Sequence, residues 1–500
     1  MKKKIIKFFG VGFAVVFCFM FFVACNPYKE VKKASKGLTN YNISATLNEE
    51  NMQVEAVETI SIVNNTNVIL NNLCFNLYAR AFREDASVKP FSQYNQAKCF
   101  PNGISFGDII INNVKENNKD ANFEYAGVDD NALQVNLSEE LEPGDKTQIV
   151  IGFTLKLAEC CHRLGYLDGS VNLGNWFPIL AKYEKGEYVI EPYYSTGDPF
   201  YSDIANYEIQ FSAPKSYTLA STGKVVNSSE GELNKDYTLT ALAVRDFAIT
   251  LTKEVCVVSE KIDNITINYI GYKEDSNADF CLDVAVKAVE FFNQTFGVYP
   301  YEKLDVVKAP FVHGGMEYPS VVLISDTFTE ELDIVKVIVH EIAHQWWYAV
   351  VGNNEISEAW LDESLAEYST VLFLEKHQEY GSSYEELVGD AFANYVLYVD
   401  IVKTTNKELK TSMLLNVNEY AGDYEYSYMI YVKGVLMFDN IRQLIGEAKL
   451  KKSLKTYYEK YKFKIATTDG FIAILKKTSG KDVSGVMDSW LNGKTVIGAI

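Results

Sequence analysis

The sequence has little histidine, little positive charge, and no internal repeat that would indicate a solenoid. It contains five histidines in 500 residues, and its 66 acidic side chains outnumber 47 lysines and arginines, which gives a formal net charge of −19. This excess of negative charge argues against nucleic-acid phosphates as a partner. It also argues against a polybasic patch for anionic membranes. Neutral and cationic peptides remain compatible with such a surface.

Cysteine is also scarce, and no Cys-x-x-Cys motif occurs among the eight cysteines. A chain of this size does not need a disulfide framework, and the pairing cannot be read from the spacing. His162 directly follows Cys160 and Cys161, but adjacent cysteines fit poorly on one tetrahedral ion. A cysteine metal site or redox centre is therefore the weaker interpretation.

The first 24 residues are typical of an export signal. Four lysines lie among the first seven residues, and an uncharged apolar run extends from Phe8 to Ala24. The run ends in FVAC, which resembles a bacterial lipobox, with Phe22 in place of the usual Leu and Cys25 as the residue that would carry lipid. An uncleaved signal anchor is the alternative, since the run is close to the ~18 residues that span a bilayer. Both alternatives predict an extracytoplasmic protein attached to the bacterial cell membrane.

Five hundred residues predict two or three domains, and the sequence pattern divides the chain in two. After a linker at residues 25–40, residues 41–255 contain short alternating stretches such as VEAVETISI, separated by Asn, Gly, Pro and Asp clusters. This alternation predicts antiparallel strands in a β-rich sandwich or saddle domain. In residues 256–500 the apolar spacing becomes mostly helical. The expected fold class is α+β multidomain.

The string HEIAH contains His340 and His344, in a stretch without Pro or Gly from Glu330 to Val351. On the predicted helix, positions i and i+4 lie on one face, so both imidazoles can bind a single ion. Glu363, in the segment WLDESLAEY, would complete a His2Glu set that leaves the fourth position of a zinc ion open. The sequence therefore predicts one Zn²⁺ per chain.

Glu341 directly follows the first of these histidines, where its carboxylate would lie beside the metal. Hydrolysis of a peptide bond needs an activated water, a stabilised oxyanion and a proton for the leaving amine. Zinc can lower the pKa of water toward ~7 and polarise the carbonyl group. Glu341 is then the candidate general base, which accepts the proton of water and passes it to the amine.

Four motifs occur in the order found in the aminopeptidase N family of zinc metallopeptidases, and the chain resembles that family over nearly its whole length after the leader. The motifs are GGMEY at 314–318, HEIAHQWW at 340–347, LDESLAEY at 361–368 and YVKG at 431–434. The resemblance implies a thermolysin-like, mostly α-helical zinc catalytic domain after the β-rich domain. It also implies an aminopeptidase that hydrolyses N-terminal residues from extracellular peptides.

The resemblance assigns roles to further residues. Tyr431 falls where the family has a tyrosine that stabilises the oxyanion of the tetrahedral intermediate. Glu317 falls where the family binds the free α-amino group, and a carboxylate at a fixed distance from zinc selects chains that begin with NH3+. The preceding Gly314, Gly315 and Met316 would bind the substrate, because glycines let its backbone approach closely.

The sequence also departs from the family pattern. Tyr318 stands where many members have Asn, and no second amine-binding acid can be assigned around GNWFP at 174–178. A zinc endopeptidase or specialised processing peptidase of the same fold is therefore the main alternative, and a non-catalytic surface binding module is another. Glu367, one turn after Glu363, either orients a ligand histidine or faces solvent.

Overall fold

The computed structural model describes residues 27–405 and 408–495. The predicted signal peptide and Cys25 lie outside these residues. Within the described ranges, no helix is both long and apolar enough to cross a membrane.

The first half of the described chain is built from strands, as its alternating pattern predicts. Strand β2, for example, buries every second side chain between Val54 and Ile62 and exposes or half-exposes the others. The elements of this half are α1 (Pro27–Ala34), β1 (Asn40–Asn48), β2 (Gln53–Val63), β3 (Leu70–Asn76), α2 (Gln96–Cys99), β4 (Asp108–Glu116), β5 (Lys119–Asp120), β6 (Phe123–Ala126), β7 (Ala132–Leu141), β8 (Lys146–Lys156), β9 (Leu164–Leu167), β10 (Ser170–Leu173), β11 (Ile179–Leu180), β12 (Tyr183–Glu184), β13 (Glu187–Tyr188), β14 (Ala205–Pro214), β15 (Tyr217–Ser221), β16 (Lys224–Glu230), β17 (Asn234–Val244) and β18 (Ile249–Lys253).

These strands form one large sheet and three smaller ones. The large sheet has eight strands in the order β16-β17-β14-β1-β2-β8-β4-β5, and the two four-stranded sheets are β15-β18-β10-β9 and β11-β3-β7-β6. Strands β12 and β13 pair only with each other. In the large sheet β1 pairs antiparallel with β2 and parallel with β14. All other adjacent strands of this sheet pair antiparallel with each other. The inner faces enclose a core of aliphatic and aromatic side chains.

The second half begins with a five-stranded sheet and continues as helices, so the predicted order of a β-rich and then a helical region is confirmed. The sheet order is β19-β20-β21-β23-β22. The elements are β19 (Val255–Ile262), β20 (Ile265–Tyr272), α3 (Ala278–Thr295), β21 (Lys303–Ala309), β22 (Gly315–Met316), β23 (Val321–Ser325), α4 (Glu331–Ala343), β24 (Val351–Gly352), α5 (Glu363–Lys376), α6 (Tyr384–Thr404), α7 (Asp423–Ser427), α8 (Lys433–Ile445), α9 (Glu447–Tyr461), β25 (Lys464–Ile465), α10 (Thr468–Ser479) and α11 (Ser484–Leu491).

Helix α4, which carries HEIAH, ends earlier than the absence of Pro and Gly indicated. The helix stops at Ala343, and His344 is its C-cap. The Nδ1 atom of His344 lies 3.0 Å from the carbonyl oxygen of Trp347, and the amide of Ala349 donates to the carbonyl of His344 at 3.0 Å. These contacts use backbone groups that a continued helix would pair along its axis. The stretch up to Val351 is therefore not one helix.

Buried polar contacts join the two halves next to the HEIAH helix. The guanidinium of Arg245, just after β17, donates to the carbonyl of Tyr348 at 3.0 Å. The hydroxyl of Tyr318 donates to Asn175 Oδ1 at 2.9 Å, and Asn175 Nδ2 donates to Asp246 Oδ2 at 2.5 Å. Tyr318, Asn175 and Asp246 are all buried. The tyrosine that departs from the family pattern thus packs against GNWFP in the β-rich half.

Candidate active site

Three side chains from two helices meet in a compact triangle of metal-binding atoms. His340 Nε2 and His344 Nε2 are 3.0 Å apart, and Glu363 Oε2 lies 3.2 Å and 3.1 Å from them. Helix α4 supplies the histidines one turn apart, and Glu363 is the first residue of α5. Tetrahedral zinc with bonds of ~2.0–2.1 Å places its ligand atoms about 3.3 Å apart. Two imidazoles and a carboxylate at these distances fit a zinc ion.

Contacts outside the triangle fix the orientation of both imidazole rings. His340 Nδ1 lies 3.0 Å from Oε2 of Glu367, so Glu367 contacts a predicted ligand even though its side chain is 36% exposed. His344 Nδ1 lies 3.0 Å from the carbonyl of Trp347. Such partners favour the tautomer that leaves Nε2 free to bind a metal. Although burial lowers the pKa of His344, the carboxylates of Glu317 and Glu363 outweigh it and raise that pKa to about 10.

The carboxyl group of Glu341 is buried beside the triangle. Burial raises the pKa of Glu341 to about 7, although the positive charges of His340 and His344 oppose this shift. Gly315 passes so close that a Cβ atom there would overlap the Glu341 carboxyl group. The glycine therefore permits β22 to lie against the carboxyl group without displacing it.

Two further acids lie in the same cavity, and only one of them was predicted. Glu317 follows β22 and is 5% exposed, whereas Asp198 belongs to a loop of the β-rich half. Burial and the nearby charge of Asp198 raise the pKa of Glu317 well above its usual range. Asp198 accepts a 2.6 Å hydrogen bond from Arg163, yet burial still raises its pKa. A cation placed between two such acids would allow both to ionise.

Tyr431 lies against the ring of His340. It belongs to a single π-helical turn, Tyr428–Val432, that directly precedes α8. Its ring stacks on the imidazole of His340, with ring centroids 5.7 Å apart and an angle of 26° between planes. Burial and the charge of Glu363 raise the pKa of Tyr431 well above its usual range, so its hydroxyl keeps its proton. Single π-helical turns are often found at functional sites.

The metal-binding triangle lines a cavity of about 460 Å³ together with Gly314, Gly315, Glu317, Glu341, Glu367, Asp198 and Tyr431. Met316 is buried and is not among the residues that line the cavity, so its contact with substrate stays a prediction. The cavity also exposes residues that sequence reasoning did not assign to the site. These are Arg163, Ser195, Gly197, Asp198, His313, Phe328, Asp333, Lys336, Val337, Asp423, Tyr426 and Ser427.

Sequence comparison shows that the helical half is similar to a known family. Residues 280–490 match the peptidase family M1 domain. The predicted resemblance to the aminopeptidase N family of zinc metallopeptidases is thereby confirmed.

Among curated proteins, the chain resembles aminopeptidases over part of its length. The chain is 29% identical to aminopeptidase N of Lactococcus lactis subsp. lactis over 231 residues, which cover 43% of this chain and 26% of that protein. It is 28% identical to the mitochondrial aminopeptidase 2 of Saccharomyces cerevisiae over 229 residues, or 43% of this chain and 23% of that protein. The matched segment thus spans about a quarter of the length of these relatives.

Solved structures resemble the chain over nearly its whole length. An M1 zinc metallopeptidase from Deinococcus radiodurans superposes with a TM-score of 0.65 at 15% identity, covering 92% of this chain and 95% of that one. A two-domain M1 zinc metallopeptidase variant bound to L-arginine gives a TM-score of 0.68 at 14% identity, with the same coverage. These likenesses show that both halves have the fold of a two-domain M1 metallopeptidase.

Proposed function

We propose that this protein is a zinc-dependent aminopeptidase that removes residues from the amino end of peptides. The observation that carries the proposal is the cavity itself. In it, a His2Glu triangle lies with a buried carboxyl group at Glu341 and with two further acids, the buried Glu317 and the partly buried Asp198. The metal-binding triangle and Glu341 suit hydrolysis of a peptide bond. Glu317 and Asp198 suit a substrate that begins with an ammonium group.

His340, His344 and Glu363 would hold the zinc ion, which when bound polarises the scissile carbonyl and lowers the pKa of water. Glu341 accepts a proton from the attacking water as the new C–O bond forms at the carbonyl carbon. The Tyr431 hydroxyl donates a hydrogen bond to the oxyanion that develops. Glu341 then gives its proton to the amide nitrogen as the C–N bond breaks, which releases the new amino terminus.

Substrate selection is assigned to Glu317 and Asp198. Glu317 is buried and Asp198 is partly buried, and desolvation raises the pKa of both carboxyl groups. A substrate ammonium group between them forms charge-assisted hydrogen bonds and offsets their mutual repulsion. A blocked amino terminus cannot do so. Asp198 thus supplies the second acid that the segment around GNWFP lacks.

The proposal is tested with matched peptides that have a free or an acetylated amino terminus. The zinc-loaded protein is expected to cleave the free peptides one residue at a time and to leave the acetylated ones intact. Removing zinc with a chelator should abolish this activity, and added Zn²⁺ should restore it. Equal cleavage of both peptides would establish the endopeptidase alternative. A protein that neither retains stoichiometric zinc nor cleaves either peptide would be a binding module.

Glu317→Gln tests the amine site more directly. It should raise KM for free peptides while the zinc content stays unchanged, since Glu317 is not one of the three metal-binding residues. Glu302→Gln is a suitable control, because Glu302 lies on the surface and pairs with Lys224.

We further propose that the protein is exported and attached to the cell membrane through lipid on Cys25. The support is the sequence of the leader, with its basic start, apolar run and FVAC ending. Metabolic labelling with a fatty acid, followed by fractionation, should show labelled protein in the membrane fraction. Cys25→Ser should remove the label. A labelled Cys25→Ser protein, or an unlabelled native one, would refute lipid attachment.

A further inference from the structure

The charges that line the cavity are distributed very unevenly. Seven acidic side chains line it, namely Asp198, Glu317, Asp333, Glu341, Glu363, Glu367 and Asp423, together with two cations, Arg163 and Lys336. Arg163 is paired with Asp198 at 2.6 Å. Lys336 is half-buried and makes no ion pair or hydrogen bond with any residue in the described ranges. Among the described residues that line the cavity, Lys336 is therefore the lysine or arginine without an ion-pair partner, and its ammonium group is available to a ligand.

Helix α4 gives Lys336 a defined position relative to the metal-binding atoms. Lys336 lies four residues before His340 and, like it, faces the cavity. Four residues of helix correspond to a rise of about 6 Å. Side chains on a helix tilt toward its N-terminus, so Lys336 points away from the histidines and toward the beginning of α4. A ligand group bound to Lys336 would therefore lie on the side of the metal-binding triangle that is nearer the beginning of α4.

The amine site lies toward the other end of α4, as the GGMEY segment shows. A Cβ atom at Gly314 would lie 3.9 Å from Val337, and one at Gly315 would overlap Glu341. Two residues later, the carbonyl of Glu317 accepts a 3.3 Å hydrogen bond from Gln345. The segment thus runs alongside α4 in the same direction. Its three steps in extended form cover about 10 Å, close to the rise of about 9 Å over the helical residues from Val337 to Ala343.

This geometry defines the length of ligand that fits. A peptide with its ammonium group at Glu317 and its scissile carbonyl at the metal-binding triangle extends from the Gln345 level toward Val337 and Lys336. Three extended residues span at most about 10–11 Å. The α-carboxylate of a peptide of three or four residues therefore reaches the level of Lys336. Without a cation there, the carboxylate would lie in a cavity whose acidic side chains outnumber its basic ones.

We propose that Lys336 binds the C-terminal α-carboxylate of short peptides, which makes tripeptides and tetrapeptides the preferred substrate class. This inference rests on the aminopeptidase function proposed above and adds a second terminus to its recognition. Glu317 and Asp198 bind the amino terminus of the peptide, and Lys336 binds its carboxyl terminus. A longer peptide carries its carboxylate past Lys336 and gains nothing from it.

The test compares the tripeptide Leu-Ala-Ala with its C-terminal amide on the zinc-loaded protein. The free acid should have a KM about tenfold lower than the amide, as expected for one charge-assisted hydrogen bond. Lys336→Met should remove this difference by raising KM for the acid with little change in kcat. Lys336→Arg should retain it. Lys376→Met is the matched control, because Lys376 is exposed on α5 outside the cavity.

Peptide length provides a second readout. The advantage of the acid over the amide should be present at three and four residues and absent at eight. An advantage of equal size at all three lengths would overturn the inference, because it would reflect the overall charge of the peptide.

Binding separates failure of this inference from failure of the proposed function. Calorimetry with the zinc-loaded Glu341→Gln protein should show tighter binding of Leu-Ala-Ala than of its amide, and additional Lys336→Met should equalise them. Cleavage of acid and amide with equal KM overturns the role of Lys336 and leaves the aminopeptidase intact. Absence of cleavage with a Lys336-dependent preference in calorimetry refutes the enzyme and retains the carboxylate site.

Discussion

The Nδ1 atom of His340 lies 3.0 Å from Oε2 of Glu367, one helical turn beyond Glu363 on α5. Helix α5 therefore contributes to the proposed zinc site twice, once with the ligand Glu363 and once with the residue that orients His340. A carboxylate behind a histidine fixes its tautomer and raises its basicity. The exposed side of Glu367 does not prevent this role, because the contact is made by the oxygen atom that faces the ring.

Glu367→Gln should weaken zinc binding by about 10- to 100-fold without removing a ligand. The amide oxygen can still accept a hydrogen bond, but it lacks the charge that makes His340 a stronger ligand. Competition with a chromogenic chelator measures the affinity. His377 and Glu379 form a contact of the same 3.0 Å length elsewhere on the surface, so Glu379→Gln is the control and should leave zinc affinity unchanged. An unaltered affinity in Glu367→Gln would mean that Glu367 has no influence on the metal.

Glu341→Gln should lower kcat by about 10²- to 10⁴-fold and leave the zinc content unchanged. Glu341 is buried beside the metal-binding triangle but is not part of it, so the amide removes the base while the ligands remain. Cleavage of a free tripeptide and metal analysis of the same preparation are the two measurements. Full activity in this variant would refute Glu341 as the general base. Loss of zinc together with activity would show that Glu341 acts mainly on the metal.

Tyr431→Phe should lower kcat by roughly 10²-fold while KM changes little, because the hydroxyl acts on charge that exists only in the transition state. The ring should keep its stacking contact with His340, so zinc binding should persist. Tyr428→Phe is the control from the same π-helical turn, since Tyr428 stacks on Tyr398 and does not line the cavity. A change in KM alone would indicate a binding role.

The two halves of the site differ in how far the sequence could predict them. The zinc ligands and Glu341 lie within HEIAH and the following helix, where local spacing determines which side chains share a face. Asp198 could not be found in this way. It lies in a loop of the β-rich half, has no motif around it, and reaches Glu317 only through the packing of the two halves.

Backbone details of the site were also beyond a pattern-based prediction. Helix α4 ends early, where His344 contacts the carbonyl of Trp347, and no Pro or Gly in the sequence indicates this end. The residue composition around Tyr431 likewise does not predict the π-helical turn. In the fold, by contrast, the strand alternation and the change to helical spacing after residue 255 were visible because burial has a different period in each element. The domain limits at 41–255 and 256–500 stay predictions.

Tyr318→Phe should destabilise the protein by about 1–3 kcal/mol, because Oδ1 of Asn175 would remain buried without its hydrogen-bond donor. Urea unfolding, followed by fluorescence, gives the free energy. The control is Tyr183→Phe, which removes an exposed hydroxyl that bonds to the carbonyl of Gly186 and should cost less than about 0.5 kcal/mol. Equal effects in both variants would show that the link between the two halves contributes no special stability.

Glu58 is the clearest case of a buried acid outside the site. It points inward from β2, is fully buried, and neither of its carboxyl oxygens has a hydrogen-bond partner in the described chain. Its neighbours in the adjacent strands are Ile43 and Ile151. Burial raises the pKa of Glu58 well above its usual range. The folded protein therefore binds a proton at Glu58 at pH values where the unfolded chain has released it.

The pH dependence follows from this direction. Below the unfolded pKa of about 4.3, Glu58 is neutral in both states and contributes no pH-dependent term. As the pH rises above that value, ionisation stabilises only the unfolded chain, so the folded protein loses stability until the pH exceeds the folded pKa. Glu58→Met removes the titrating group with little change in volume. It should therefore stabilise the protein at pH 8 by about 1–4 kcal/mol, and by less at pH 5.

Urea unfolding of native and Glu58→Met proteins at both pH values measures this difference. Glu55→Met is the control, because Glu55 lies on the same strand and faces solvent. It should change stability by less than about 0.5 kcal/mol at either pH. If Glu58→Met destabilised the protein, or gave a gain independent of pH, the buried carboxyl group would have a stabilising partner and the inferred penalty would be absent. A gain that grows with pH in Glu58→Met alone assigns the loss of stability above pH 5 to this one group.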